Sequence, residues 1–162
     1  MRIPSRKFSS VVSDALIGKR CWYVVANSFP PAFELALGKK VKRAESLKIQ
    51  HHSRGFRIYE GEANLMVWSA WRLQRQRRVI STSEDIESRA TRSIESIVGA
   101  TILAVTVSPP ANDMVISFDT GVVLHLFCER VGGRMKQNWE IFAGQKTMVA
   151  GPGSQREVCD RP

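Results

Sequence analysis

Apolar residues alternate with other residues in two stretches of the chain. Every second position is apolar in residues 33–37, and residues 114–118 show the same pattern. Successive side chains of a strand point to opposite faces. The alternation therefore predicts two β-strands, each with one buried face.

Helical spacing replaces this alternation in residues 81–97. The apolar residues of this stretch lie three or four positions apart and comprise Ile86, Ala90, Ile94 and Ile97. This stripe predicts an amphipathic helix with Ser81 or Thr82 as its N-cap. A weaker helix is predicted near the amino terminus from Phe8, Val11, Val12 and Ala15.

The two patterned regions align with each other. Residues 16–41 align without a gap on residues 97–122, which places Gly18 on Gly99. With gaps, residues 65–69 then align on residues 124–128, and Trp71 aligns on Trp139. Self-similarity of this kind indicates a duplicated structural unit, in which the glycines are predicted to end the helices.

The alignment predicts one α+β domain over residues 1–150. Its two degenerate helix-plus-antiparallel-sheet repeats cover about residues 8–80 and 83–150 and pack with pseudo-two-fold symmetry. Short connections favour antiparallel pairing. The insertion at residues 42–62 is predicted to be a polar loop. Residues 151–162 are rich in Gly, Pro and polar residues, so we expect a disordered tail.

The segment from Leu65 to Leu73 is predicted to be one strand. Trp71 would then lie on the core face, and Trp68 and Arg72 would share the opposite face. An aromatic plane beside a guanidinium is able to hold an anionic ligand. The predicted ligand or anion site comprises Trp68, Arg72, Arg75, Arg77, Arg78 and Asp85. In the alternative, a helix covers this face, Trp68 is core, and Arg72 pairs with Asp85.

The net charge of +9 is concentrated in the first half of the chain. Residues 1–80 contain 16 Lys or Arg and 5 Asp or Glu, whereas residues 81–162 contain 8 and 10. Such asymmetry permits an anionic partner, including nucleic acid, or reflects a solvated edge. A nucleic-acid-binding module would add Lys39, Lys40, Lys42 and Arg43 to the three arginines of residues 75–78.

The amino-terminal sequence and the cysteine content favour a cytoplasmic protein. The first 20 residues have no continuous apolar region, and no apolar stretch is long enough to cross a membrane. The three cysteines include no C-x-x-C pair, so we expect neither a disulfide framework nor a zinc site.

Catalytic and metal-binding motifs are not apparent in the sequence. His51 and His52 have no third ligand at a characteristic spacing, so the prediction is no metal and no cofactor. No catalytic residue is assigned, and the sequence favours a protein that is not an enzyme. An enzyme would instead need a deep pocket around Arg72, Asp85 or His125.

Three segments resemble a family of small bacterial proteins with no established activity. They are "LMVWSAWRL", "VISTSED" and "QNWEIFAGQKTMVAGPG". The resemblance covers about residues 16–151 and implies a duplicated β-rich unit with a Trp-Arg-aliphatic strand motif. It marks Trp71, Arg72, Asp85 and Trp139 as signature positions. Glu140 departs from the family, which tends to carry Arg after this Trp.

The predicted function is binding without catalysis. The expected partner is a protein or a small anionic ligand. An immunity- or antitoxin-like role is suggested by analogy with other small single-domain proteins. The alternative is a nucleic-acid-binding module that uses the basic first half. A membrane partner is not expected.

Overall fold

The computed structural model describes residues 3–26, 32–129 and 137–161. Within these residues the chain forms three helices and eleven strands. The helices are α1 (Ser5–Leu16), α2 (Arg54–Ile58) and α3 (Glu87–Glu95). The strands are β1 (Cys21–Ala26), β2 (Phe33–Lys42), β3 (Tyr59–Val67), β4 (Ala70–Arg75), β5 (Arg78–Thr82), β6 (Ile102–Ser108), β7 (Asp113–Phe118), β8 (Val122–Phe127), β9 (Trp139–Ala143), β10 (Lys146–Ala150) and β11 (Arg156–Asp160).

The strands form two antiparallel sheets. The six-stranded sheet has the order β1-β2-β3-β9-β10-β11, and the five-stranded sheet has the order β5-β4-β8-β7-β6. Each sheet therefore takes strands from both halves of the chain. The predicted α+β class and the antiparallel pairing are confirmed.

The main hydrophobic core includes residues of both sheets and of α1 and α3. Trp71 of β4 meets Phe33 of β2 edge to face, with ring centroids 5.9 Å apart. Trp139 of β9 stacks on Phe8 of α1 at 5.6 Å. Both tryptophans are buried, as predicted, and aromatic pairs of this geometry stabilise beyond the area that they bury.

Helices α1 and α3 pack against edge strands. Helix α1 contacts β6 and β11, and α3 contacts β1 and β5. The Ser13 hydroxyl donates a hydrogen bond to the carbonyl oxygen of Val105 on β6, and Arg89 donates to that of Ile80 on β5. These two bonds occupy edge carbonyl groups that would otherwise be available to another strand.

The two sheets meet near the starts of β1 and β6. Arg20 and Thr101 form an isolated antiparallel bridge between them. Gly18 precedes the bridge on one side and Gly99 on the other, and their φ angles are 80° and 93°. The N–H of Gly18 donates to Ile102, and the N–H of Gly99 donates to Cys21.

The predicted continuous strand from Leu65 to Leu73 is wrong. The chain leaves the six-stranded sheet after Val67 and enters the five-stranded sheet at Ala70. At this crossing the N–H groups of Trp68 and Ser69 both donate to the carbonyl oxygen of Asn138, at 2.9 and 3.1 Å. Backbone groups that leave one ladder thus receive a new acceptor.

The predicted start of α3 is also wrong. Ser81 and Thr82 belong to β5, and α3 begins only at Glu87 with Ile86 as its N-cap residue. Ile86 is 74% exposed because it precedes the helix, so it is not part of the buried stripe. Ala90, Ile94 and Ile97 are buried as predicted.

Two segments are more ordered than predicted. Residues Arg156–Asp160 form β11 on the edge of the six-stranded sheet, so the expectation of a disordered tail is wrong there. Arg156 holds this strand through hydrogen bonds to the Ile3 carbonyl and the Asn112 side chain. The predicted polar loop at residues 42–62 contains α2 and the first residues of β3.

We expect Gly18→Ala and Gly99→Ala each to lower the free energy of unfolding by about 1 kcal/mol, because a Cβ is disfavoured at positive φ. The cost should be one of backbone conformation alone, since an added Cβ meets nothing within 4 Å at Gly18 and only Arg20 Nη2 at 3.7 Å at Gly99. Denaturant unfolding measures the free energy of unfolding of both variants. Gly55→Ala in α2 is the matched control and should leave stability unchanged or raise it. A substitution at either Gly18 or Gly99 without cost would contradict the prediction.

Candidate functional site

One side of the five-stranded sheet faces away from the core. Its central row runs across four strands through Thr106, Val115, His125 and Arg72. The adjoining row contains Ala104, Ser117, Val123 and Gln74. These eight residues together with Phe127 are called the Arg72 face. Most of them are half-buried, and Thr106 and Ala104 are exposed.

Arg72, His125 and Phe127 form the charged and aromatic part of this face. Arg72 on β4 lies directly opposite His125 on β8. The Arg72 guanidinium carbon is 5.4 Å from the centroid of the Phe127 ring, and the rings of His125 and Phe127 stack at 6.2 Å. A guanidinium over an aromatic ring is held in a defined orientation, which favours directed hydrogen bonding.

Both polar side chains retain hydrogen-bonding capacity. Among the described residues, Arg72 Nε and His125 Nε2 are buried atoms that have no hydrogen-bond partner. Burial lowers the pKa of His125 from its ordinary value, and the positive charge of Arg72 lowers it further. The pair can therefore place a fixed cation beside an uncharged imidazole.

Trp68 lies outside the strands that form this face. It lies in the crossing between β3 and β4, where its backbone N–H donates to Asn138. The predicted pairing of Trp68 with Arg72 on one strand face is therefore wrong, and the aromatic ring beneath Arg72 belongs to Phe127. Phe127 was not predicted. Its alternation with the buried Leu126 indicated that it points outward, but only strand pairing shows which strand it adjoins.

Asp85 has a structural role that the sequence did not indicate. Its carboxylate accepts hydrogen bonds from the Ser81 hydroxyl at 2.7 Å and from the Thr82 N–H at 3.0 Å. The Ser81 bond is the main cause that lowers the pKa of Asp85, and Arg89 lies 3.7 Å away. Asp85 thus orders the turn before α3. The alternative interpretation paired Arg72 with Asp85, whereas in the structure the ion-pair partner of Asp85 is Arg89.

Arg75, Arg77 and Arg78 lie at the hairpin between β4 and β5. Arg75 and Arg78 are a cross-strand pair, and all three residues are exposed. Because Arg72 lies on the same strand as Arg75, positive charge continues from the Arg72 face to the hairpin. Four of the predicted site residues therefore belong to one β-hairpin.

The second predicted basic group lies on the other sheet, on β2 and just after it. Lys39, Lys40 and Lys42 are exposed, and the Lys40 ammonium lies 4.8 Å from the centroid of the Trp22 ring. Arg43 Nη1 is 3.3 Å from Glu60 Oε2, and its guanidinium covers the Phe56 ring at 4.8 Å. Arg43 is thus used within the chain.

The histidine pair and the two buried cysteines are not arranged as a metal site or as reactive nucleophiles. The rings of His51 and His52 are in contact in a tilted arrangement, with centroids 4.3 Å apart and planes at 49°. The described residues contain no group of three or more His, Cys, Asp or Glu that could hold a metal ion. Burial raises the pKa values of Cys21 and Cys128 to about 12, so thiolates are rare at neutral pH.

Comparisons of the chain with protein-family models, with curated proteins and with solved structures found no match. The resemblance to the bacterial family therefore stays a prediction. In the described part of the chain, no helix has the length and apolar character needed to cross a bilayer.

We expect Arg72→Gln to raise the pKa of His125, because one of the two causes that lower it is removed. An NMR titration of the imidazole resonances measures this pKa. The same spectra provide a control, since the pKa of His52 is lowered by burial, His51 and Arg43 and should not move. An unchanged His125 pKa would refute the coupling.

The same lowered pKa has a consequence for stability. As the pH falls through the ordinary histidine pKa, the unfolded chain takes up a proton at His125 that the folded protein does not yet bind. The free energy of unfolding should therefore decrease on acidification in that window, and His125→Gln should remove this contribution.

Proposed function

We propose that this protein acts by binding an acidic protein partner through the Arg72 face. The observation that carries the proposal is the placement of Arg72 opposite His125 and over Phe127, with Arg72 Nε and His125 Nε2 unpartnered among the described residues. Arginine and aromatic residues at the centre of a surface are the usual anchors of protein interfaces. A carboxylate would supply the acceptor that the Arg72 guanidinium lacks.

Charge complementarity favours an acidic partner. Arg72 is followed on the same hairpin by Arg75, Arg77 and Arg78, and the chain as a whole has a net charge of +9. The carboxylate of Asp113 on β7 accepts a hydrogen bond from the backbone N–H of Cys128 at 2.6 Å, so this acidic group is already used within the chain. A partner with exposed carboxylates would be attracted at long range and oriented on contact.

The proposal includes the pseudo-two-fold relation between the two halves. It is supported by the strand pairs β1-β2 and β6-β7, which have the same register and the same bulge when Gly18 is placed on Gly99. The first half contributes three strands to the six-stranded sheet and the β4–β5 hairpin to the other sheet. The second half contributes three strands to the five-stranded sheet and the β9–β10 hairpin to the six-stranded sheet, to which β11 adds one further strand. The hydrogen bonds around the Arg20–Thr101 bridge occur in equivalent pairs.

An immunity- or antitoxin-like role is one use of such a surface, and it would require an acidic toxin. The proposed location is the cytoplasm. Three free cysteines, two of them buried, are compatible with a reducing compartment. The membership in the bacterial family and the absence of catalysis are parts of the same proposal.

We expect a short polyglutamate peptide to bind the Arg72 face and Arg72→Glu to weaken binding at least tenfold, since charge reversal turns attraction into repulsion. Two-dimensional NMR of the labelled full chain measures both affinity and location, and the shifted amides should belong to β4 and β8. Arg92→Glu on the exposed side of α3 makes the same charge change elsewhere and should leave binding nearly unchanged. Equal losses in the two variants would show that only net charge matters.

A nucleic-acid-binding module is a second candidate, and the exposed Arg75, Arg77 and Arg78 favour it. Phosphate contacts release counterions, so binding to duplex DNA or to RNA should weaken steeply with salt. The triple variant Arg75→Gln, Arg77→Gln, Arg78→Gln should reduce both the affinity and the salt slope in a gel-shift series. Lys39→Gln with Lys42→Gln tests the other sheet in the same way. Absence of binding at low salt would discard this candidate.

A further inference from the structure

The six-stranded sheet shows how the chain covers one of its own sheet faces. Residues 43–58, called the cover segment, connect β2 to β3 and include α2. Phe56 of this segment is buried in a small cluster with Val25 and Ala36, and Trp22, Tyr23 and Leu47 pack around them. Its ring stacks on Tyr23 at 4.6 Å. An aromatic anchor thus holds the cover segment on β1 and β2.

The cover segment also pairs opposite charges. Arg43 bonds Glu60. Burial raises the pKa of Glu34, and the positive charge of the nearby Arg43 offsets part of this rise. Arg43 also donates from Nε to the Phe56 carbonyl at 3.1 Å, which links the charged and aromatic contacts. A basic residue and an aromatic anchor therefore cover an acidic part of the six-stranded sheet.

The five-stranded sheet has no such segment at the corresponding place among its described residues. Strand β7 ends at Phe118 and β8 begins at Val122, so only three residues connect them. Placing Gly18 on Gly99 brings Trp22, Tyr23, Val25 and Ala36 onto Leu103, Ala104, Thr106 and Ser117. Leu103 is 60% exposed, and Ala104 and Thr106 are exposed. The five-stranded sheet therefore has a surface equivalent to the one that receives Phe56, but no described residue covers it with an aromatic side chain.

The two places differ in charge, because an acidic side chain of the six-stranded sheet has no acidic counterpart and Arg72 lies nearby instead. Under the same placement Glu34 corresponds to Val115, which lies directly opposite His125, and His125 lies opposite Arg72. Three strand spacings separate β6 from β4, which is roughly 14 Å. A ten-residue segment is long enough to cover this span even as a helix.

We propose that the partner presents a short segment with an aromatic anchor and a carboxylate, which docks on β6, β7, β8 and β4 as the cover segment docks on β1 and β2. The aromatic side chain takes the place beside Leu103, Ala104, Thr106 and Ser117, and the carboxylate meets Arg72 and His125. This inference rests on the proposed function and adds the partner's binding mode to it.

The probe is a peptide of residues 43–58 in which Arg43, Lys48, Arg54 and Arg57 are each changed to Glu. The unchanged peptide, which is basic, and the acidic peptide with Phe56→Ala are its controls. Each is titrated into the labelled full chain and followed by NMR. We expect the acidic peptide to shift amides of β6, β7, β8 and β4. The native peptide should bind at least tenfold more weakly, and Phe56→Ala should weaken the acidic peptide at least tenfold.

Variants of the protein locate the two contacts separately. Leu103→Ser should weaken the acidic peptide, whereas Val98→Ser, also at an exposed apolar residue, should not. Arg72→Glu should abolish binding. Because Leu103 and Val98 are 60% and 49% exposed, neither serine variant is expected to prevent folding.

The outcomes separate the two proposals. The acidic peptide could require Arg72 and yet bind equally well after Phe56→Ala in the peptide and Leu103→Ser in the protein. That result would overturn the aromatic binding mode and leave the acidic partner in place. Preference for the native basic peptide would overturn both and point to a second copy's cover segment as the occupant. No binding by the acidic peptide, while polyglutamate still binds at Arg72, would overturn the binding mode alone. No binding by either acidic probe would overturn both proposals.

Discussion

The carbonyl oxygen of Asn138 holds the point at which the chain changes sheets. It accepts the N–H groups of Trp68 and Ser69, and the backbone N–H of Asn138 donates to Ala150. The fully buried side chain donates to the Gly151 carbonyl at 2.9 Å. If the chain continued straight after Val67, Arg72 would extend the six-stranded sheet. Because it turns here, Arg72 pairs with His125 in the other sheet.

The two sheets use their outward faces differently. On the six-stranded sheet, the cover segment brings Phe56 onto Val25 and Ala36 and supplies Arg43 to Glu60. Burial of that apolar area stabilises the fold without a partner. On the five-stranded sheet, half-buried polar and aromatic side chains surround Arg72 and His125. A half-buried guanidinium whose Nε has no described acceptor costs folding free energy, and such a cost is typical of residues retained for binding.

Local pattern predicted many of the elements because it reports burial directly. The alternation at residues 114–118 and the stripe of Ala90, Ile94 and Ile97 both correspond to buried faces in the structure. The pattern failed at Ile86, which precedes the helix by one residue, because apolar spacing cannot show where a turn held by Asp85 ends. It also failed at Trp68, where the alternation runs on through a change of sheet.

The sequence predicted only part of the candidate site. Arg72, Arg75, Arg77 and Arg78 were predicted together because they lie within one hairpin, and hairpin neighbours are close in sequence. Phe127 and His125 join them only through the pairing of β4 with β8, strands from different halves of the chain. The sequence by itself determined which side chains turn outward, since strand periodicity follows from backbone geometry. Only the tertiary structure decided which outward side chains meet, because that depends on backbone hydrogen bonds between strands about fifty residues apart.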